Sequence, residues 1–232
     1  GTTNAPIVEL CEQLAKLCEP LDRVFFADNG SSAVEVAMKM ALQYQMQSGR
    51  ASRTQFVALK NGYHGETILT LATGDCELYS KPYAPLMPTI AKIGPLPYRN
   101  GYVDSQAAPM TDAEWQAIED QLNPVAAELA GVVFEPIVQG AGNIAIYAPD
   151  FLVRLRCWAD ANDVLLIADE IMTGLGRTGR TLACEHAGII PDFLVLSKAL
   201  TGGWIPMAIV LTSSEVYRAF YDDYDTGKAF LH

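Results

Sequence analysis

Short apolar runs alternate along this chain with longer segments in which apolar residues recur at helical spacing. The runs predict buried strands, and they lie at 24–27 (VFFA), 55–59 (QFVAL), 131–135 (GVVFE), 164–169 (VLLIAD), 193–197 (FLVLS) and 207–212 (MAIVLT). The segments of helical period lie at 5–18, 32–45, 111–122 and 149–162. Alternation of helices with continuously apolar strands predicts an α/β fold with a mainly parallel sheet covered on both faces.

Local signals refine three of these segments. Thr111 with Glu114 three residues later is a capping box, so a helix should begin there. Pro149 suits the first turn of the helix over 149–162. The proline-rich stretch 82–109 predicts a long surface excursion between elements.

Composition narrows the classes of partner. The 232 residues are half hydrophobic and carry a net charge of −11, which argues against nucleic acid or an anionic membrane as partner. The apolar runs are too short to span a bilayer, and no secretory signal is visible. The five cysteines are odd in number without C-x-x-C spacing, which favours a reducing, cytoplasmic compartment. The three histidines lie far apart, so no metal site is expected.

Polar residues follow the predicted strands where each strand ends. The carboxyl ends of parallel strands meet at one edge of a sheet, and ligands bind there in such folds. The candidates at this edge are Gly30, Ser31, Tyr63, Glu135, Asp169 and Lys198.

Each candidate also has an ordinary structural interpretation. Gly30 and Ser31 suit a plain helix N-terminus, Tyr63 and His64 suit a loop, and a carboxylate at a strand end is often a salt-bridge partner. A single lysine is usually a solvated charge. Lys198 differs because it directly follows an apolar strand and precedes ALTGG. Desolvation at that place would favour its neutral, nucleophilic amine.

The combination points to pyridoxal 5′-phosphate. That cofactor needs a lysine for its Schiff base, an acid facing the pyridine nitrogen, and a cradle for its phosphate. Backbone N–H groups and a hydroxyl at a helix N-terminus provide such a cradle. An aromatic ring commonly covers the cofactor face.

The same motifs resemble the class III aminotransferases of the fold-type I pyridoxal-phosphate family. The resemblance covers essentially the whole chain, through ADNGSSAVEVAMKMA, NGYHGET, EPIVQGAG, LIADEIMTGLGRTG and LSKALTGG. It implies that Lys198 binds the cofactor covalently and carries the proton, while Asp169 pairs with the pyridine nitrogen. It further implies that Gly30 and Ser31 hold the phosphate and that Tyr63 stacks on the ring. Ile171 would then pack on the opposite ring face, with Glu135 near the ring and substrate.

The stretch from Gly174 to Gly179 also matches the dinucleotide pattern G-x-G-x-x-G. Here it begins five residues after Asp169, not tightly at the strand's turn, and RTLACEHAGIIP after it offers only a short helix. Nicotinamide binding is therefore disfavoured.

Within the class, EPIVQGAGN, ACEHAGIIPD and ALTGGWIPMAIVLT are most similar to the biotin-biosynthesis branch, which moves an amino group from S-adenosylmethionine to 8-amino-7-oxononanoate. Met172 stands where ornithine- and aminobutyrate-type relatives commonly have glutamine. An ω-amine:pyruvate transaminase remains an alternative, as does an aminomutase or racemase on the same fold. A non-catalytic scaffold is disfavoured, because it has no use for both Lys198 and Asp169.

The resemblance also sets expectations for the domain and the assembly. Residues 1–232 correspond to the cofactor-binding large domain, and both ends look cut, so we expect an N-terminal segment and a C-terminal small domain beyond them. Relatives contribute a phosphate contact to the neighbouring subunit. We therefore expect a homodimer with a shared active site that takes a small-molecule amino donor and keto acceptor.

Overall fold

A seven-stranded sheet organises the chain. The computed structural model describes residues 3–99 and 108–230. The strands are β1 (Arg23–Ala27), β2 (Gln55–Leu59), β3 (Ala91–Ile93), β4 (Leu129–Phe134), β5 (Val138–Gln139), β6 (Ala145–Ile146), β7 (Leu165–Asp169), β8 (Phe193–Leu196) and β9 (Ala208–Thr212). The sheet order is β1-β9-β8-β7-β4-β2-β3, and β9 pairs antiparallel with both neighbours while the other pairs are parallel. The predicted mainly parallel α/β fold is thus confirmed. Strands β5 and β6 form a separate antiparallel pair.

Helices connect these strands. The α-helices are α1 (Ala5–Leu17), α2 (Gly30–Gln47), α3 (Ile68–Thr73), α4 (Glu77–Ser80), α5 (Asp112–Leu122), α6 (Asp150–Ala161) and α7 (Ser214–Phe220). Short 3-10 helices span Lys81–Leu86, Asn123–Glu128, Ala183–His186, Lys198–Leu200 and Tyr224–Thr226.

The sheet is buried on both faces, as its apolar strands require. Successive strand residues point to opposite faces, and Val132 and Val133 accordingly belong to different hydrophobic clusters. One cluster contains residues of α5 and α6, and the other contains the buried face of α2. Helix α2 is therefore packed along one sheet face with its N-terminus at the carboxyl end of β1.

Two predicted helix starts are resolved in detail. The capping box is present, since Thr111 Oγ1 accepts the Glu114 N–H at 3.2 Å and the Glu114 carboxylate accepts the Thr111 N–H at 2.7 Å. The sequence predicts Pro149 in the first turn of α6. It is instead the N-cap residue, one position before the helix begins, and its backbone angles are helical.

The prediction of a surface excursion over residues 82–109 is wrong in part. The segment contributes β3, which pairs in parallel with β2 at the sheet edge. Ile93 and Leu96 are buried in the core, and Lys81–Leu86 extends a 3-10 helix into the segment. Residues 100–107 of the prediction lie outside the described residues.

Candidate active site

A cleft of about 590 Å³ opens at the carboxyl edge of the sheet. The residues that follow each parallel strand lie at this edge, so groups that are far apart in sequence come together there. Every site residue predicted from the sequence lines the cleft: Gly30, Ser31, Tyr63, Glu135, Asp169, Ile171 and Lys198.

Asp169 ends β7 and lies at the floor of the cleft, 3% exposed. Its Oδ1 accepts the Ile171 N–H at 3.1 Å, and its Oδ2 lies 2.8 Å from His64 Nδ1. Two contacts therefore fix the orientation of a buried carboxylate. From the sequence alone, His64 suits a loop. No local pattern could have revealed its role, since its partner is 105 residues away.

The N-terminus of α2 faces the same cleft. Asn29 caps the helix by accepting the Ser32 N–H at 2.9 Å, and its carbonyl accepts the Ala33 N–H. Within the described chain, the N–H groups of Gly30 and Ser31 have no acceptor. Free N–H groups at the start of an 18-residue helix form a site suited to an anion such as phosphate.

Ile171 packs closely against Gly30. A Cβ built on Gly30 would lie 2.6 Å from Ile171 Cδ1 and 3.2 Å from its Cγ1. The absent side chain lets Ile171 lie beside the helix start, where both residues line the cleft.

Lys198 opens the 3-10 helix that follows β8. Its amine has no hydrogen bond or ion pair to any described residue, and the side chain is exposed. The described residues therefore do not desolvate the Lys198 amine in the way that the sequence predicts. The amine is free to react with a ligand in the cleft.

Glu135 and Tyr63 also line the cleft. The Glu135 carboxylate accepts the N–H groups of Tyr63 at 3.0 Å and Gly140 at 2.9 Å. Burial raises the pKa of Glu135 to about 6, against the opposing effect of nearby His64. Burial and the 3.1 Å hydrogen bond to Glu66 raise the pKa of the Tyr63 hydroxyl to about 12, so this phenol stays neutral.

Comparison with known proteins identifies the family. The family model described as "Aminotransferase class-III" matches residues 1–231. The chain belongs to the class III aminotransferases. Members of this class depend on pyridoxal phosphate.

Three relatives illustrate the similarity of this aminotransferase chain. Adenosylmethionine-8-amino-7-oxononanoate aminotransferase from Geobacter sulfurreducens is 38% identical over 100% of the chain and 52% of its own length. The crystal structure of the same-named enzyme from Methanocaldococcus jannaschii has a TM-score of 0.88 at 31% identity, covering 100% of this chain and 51% of that one. A PLP-bound amine transaminase from an uncultivated Pseudomonas species has a TM-score of 0.85 at 35% identity, covering 95% and 50%. The chain spans about half the length of the curated relatives it matches.

The glycine-rich stretch of this class III aminotransferase is not a helix start. Residues 174–179 form turns, and the next helical element is the four-residue 3-10 helix Ala183–His186. The Glu170 carboxylate accepts the N–H groups of Ala183 at 2.6 Å and Cys184 at 2.9 Å. Glu170 therefore ties this loop to the end of β7, and the geometry of a dinucleotide fingerprint is missing.

Residues 3–99 and 108–230 contain neither a candidate metal site nor a candidate membrane span. No group of His, Cys, Asp or Glu in these ranges is arranged to hold a metal ion. In the same ranges, no helix combines the length and apolar character needed to cross a membrane.

Proposed function

We propose that the protein binds pyridoxal 5′-phosphate in this cleft and catalyses transamination. The observation that carries the proposal is the meeting of three groups in one cleft: the free amine of Lys198, the buried carboxylate of Asp169 and the open helix start at Gly30. When bound, the cofactor supplies an electron-accepting ring for reactions at the carbon bearing the amino group.

The donor set fits that cofactor. Lys198 provides the amine for the covalent linkage and for proton transfer to and from the substrate carbon. Asp169 offers a fixed negative charge to the pyridine nitrogen, and His64 with the Ile171 N–H holds this carboxylate in place. The free N–H groups of Gly30 and Ser31 and the hydroxyl of Ser31 suit the phosphate.

Side chains at the walls of the cleft suit the ring faces and the substrate. We assign Tyr63 to one face of the ring and Ile171 to the other, because both side chains line the cleft together with Asp169. The Glu135 carboxylate accepts the Tyr63 N–H, and we assign this acid to a position near the substrate. Its pKa of about 6 lets it change charge near neutral pH.

The reaction we propose is amino transfer from S-adenosylmethionine to 8-amino-7-oxononanoate, giving 7,8-diaminononanoate. Support comes from relatives of that name at 34–40% identity across nearly the whole chain. The amine transaminase structure at 35% identity favours a second candidate, transfer between an ω-amine and pyruvate.

Assays of the full-length protein separate these candidates. The oxononanoate should be aminated with S-adenosylmethionine as donor, and the kinetics should be ping-pong, because one group carries the amine between two substrates. Good turnover of ω-amines with pyruvate but none of the oxononanoate would establish the second candidate. Isomerisation of an amine without any keto acceptor would instead indicate an aminomutase.

The cofactor linkage has its own test. Borohydride reduction of the cofactor-bound protein, followed by peptide mapping, should place the pyridoxyl group on Lys198, and Lys198→Ala should abolish turnover. Label on another lysine would refute the assignment of Lys198.

We further propose that residues 1–232 are the large domain of a longer protein that works as a homodimer in the cytoplasm. The relatives are about twice as long. Beside the cleft lies a groove that shares Glu66 and Tyr79 with it and exposes Leu78, 80% accessible. Trp204, six residues after Lys198, is 91% exposed. Such apolar surface around a site is typical of an interface.

The dimer can be tested by sedimentation of the full-length protein with and without pyridoxal phosphate. Cofactor that contacts both subunits should strengthen the dimer. A fully active monomer at assay concentration would exclude a shared site.

A further inference from the structure

Three hydroxyl groups form a triangle at the start of α2. Ser31 Oγ lies 2.8 Å from Thr67 Oγ1 and 2.7 Å from Thr70 Oγ1, and the two threonine oxygens are 3.0 Å apart. Ser31 Oγ also accepts the Thr67 N–H at 2.9 Å. Of the three residues, Ser31 lines the cleft, while Thr70 is fully buried.

The triangle occupies the acceptor positions of the Ser31 hydroxyl. A hydroxyl has one proton and two acceptor positions. The Thr67 N–H occupies one acceptor position of Ser31 Oγ. The hydroxyl proton of Thr67 or of Thr70 can fill the second, although the Thr70 proton also has the Thr67 carbonyl oxygen as an acceptor at 3.0 Å. The serine proton is then the one part of this hydroxyl left to interact with the cleft, so Ser31 can act there as a donor and not as an acceptor.

The triangle can also exchange protons when the cleft is filled. Without an anion, Thr70 Oγ1 donates its proton to the Thr67 carbonyl oxygen at 3.0 Å and can accept the Ser31 proton at 2.7 Å. With an anion at the helix start, the Ser31 proton turns to the anion, and the Thr70 proton can move from the Thr67 carbonyl to Ser31 Oγ. A chain of hydrogen bonds that runs in one direction polarises its members and strengthens the last donor.

The rest of the local structure is arranged around this contact. Thr67 occupies the N-cap position of α3 but makes no side-chain cap, because its hydroxyl is directed to Ser31 and Thr70. Gly65 has a φ of +120°, and a Cβ there would lie 2.5 Å from Ser31 Oγ. The loop before α3 therefore packs directly on Ser31 and limits its movement.

We propose that Thr67 and Thr70 are positioning residues that hold the Ser31 hydroxyl as an obligate donor to the phosphate of the cofactor. The inference rests on the proposed function, because it takes the anion at the α2 N-terminus to be the phosphate of pyridoxal phosphate. Thr70 acts entirely through Ser31, since it does not line the cleft.

The experiment compares two ligands on the apo form of the full-length protein. Thr70→Val removes the hydroxyl but keeps the shape. It should weaken pyridoxal phosphate roughly 5- to 10-fold, the size of one net hydrogen bond. The affinity for pyridoxal, which has no phosphate, should not change. Thr70→Ser should restore the affinity for pyridoxal phosphate.

Thr73 provides a matched control on the same helix. It is as fully buried as Thr70, and its hydroxyl bonds to the Leu69 carbonyl and Met38 Sδ instead of a cleft residue. Thr73→Val should leave the ratio of the two affinities unchanged. If Thr70→Val lost affinity equally for pyridoxal phosphate and for pyridoxal, the role of Thr70 would be packing alone, and the proposal would be overturned.

A double-mutant cycle with Ser31→Ala tests whether Thr70 acts through Ser31. In the Ser31→Ala background, Thr70→Val should have no further effect on pyridoxal phosphate affinity. Additive losses would contradict the inference while leaving the cofactor assignment intact. Failure of the unmodified protein to bind pyridoxal phosphate would instead overturn the proposed function. If Thr70→Val does not fold, Thr67→Val, which keeps the backbone N–H, enters the same cycle with the same criteria.

Discussion

His64 Nδ1 lies 2.8 Å from Asp169 Oδ2, and the two side chains are 0% and 4% exposed. A buried carboxylate needs partners for its oxygens, and the Ile171 N–H satisfies the other one. The imidazole thus fixes which way Asp169 presents its charge to the cleft. This pairing joins a loop after β2 to the end of β7, at the centre of the candidate site.

Removing the His64 imidazole should therefore impair catalysis, although His64 itself takes no part in the reaction. We expect His64→Leu to lower kcat roughly 10- to 100-fold, because a hydrogen bond to a charged, buried group is lost. His64→Asn retains an N–H donor close to the position of Nδ1 and should lose less. Steady-state kinetics measure both variants. His186→Leu, at an exposed histidine bonded to Thr178, serves as the control. Equal activity of His64→Leu and the control would contradict the role.

Asp169 itself should be far more sensitive. Asp169→Asn keeps the size but removes the charge that stabilises a protonated pyridine nitrogen, so turnover should fall by several orders of magnitude. Some cofactor binding should persist through Gly30, Ser31 and Lys198. Asp28→Asn removes an exposed carboxylate outside the cleft and should behave like the unmodified protein. Turnover of Asp169→Asn close to that control would refute the assignment.

The sequence predicted the central strands and the residues at their ends for a physical reason. Strands such as β7 and β8 are buried on both faces, so they appear as unbroken apolar runs. A turn or helix follows each, and the topology then determines that Asp169 and Lys198 meet at one edge. Both were predictable because the signal is local and the convergence follows from parallel pairing.

The features that sequence reasoning missed depend on contacts between distant segments. Strand β3 has three residues, pairs with one neighbour and contains Lys92, whose amine reaches the carbonyls of Ala72 and Ile90. Such a strand has no apolar run to detect. The same holds for His64, and for the hydroxyl triangle, where Ser31 meets Thr67 from 36 residues away.

The buried carboxyl of Glu135 should make stability depend on pH. Burial raises its pKa from 4.5 to about 6, so the folded protein binds this proton more tightly than the unfolded chain does. The contribution of Glu135 to the free energy of unfolding should therefore fall by about 2 kcal/mol as pH rises from 4.5 to 6, and then stay level. Glu135→Gln cannot titrate and should escape this loss.

The measurement is a difference between two proteins, which cancels the other titrating groups. Denaturant unfolding of the apo-protein at about pH 4 and about pH 7 should show Glu135→Gln gaining about 2 kcal/mol relative to the unmodified protein. Its absolute stability should still be lowered, because glutamine offers one acceptor oxygen to the two N–H donors of Tyr63 and Gly140. Glu12→Gln, at an exposed position on α1, should show no such pH-dependent gain. A pH-independent difference for Glu135→Gln would contradict the assignment.

The contact between Gly30 and Ile171 predicts that a second substitution, at Ile171, compensates for a substitution at Gly30. A methyl group at position 30 would lie 2.6 Å from Ile171 Cδ1, so Gly30→Ala must displace the Ile171 side chain, which lines the cleft. We expect a loss of roughly 1–3 kcal/mol in stability and at least a tenfold loss in pyridoxal phosphate affinity, about the effect of 1.4 kcal/mol.

Ile171→Val removes Cδ1 and leaves the next atoms at 3.2 and 3.3 Å. The double variant should therefore recover much of both losses, while Ile171→Val alone should change little. If Gly30→Ala binds the cofactor normally, or if the second change brings no recovery, the proposed packing of Ile171 beside the cofactor site is wrong.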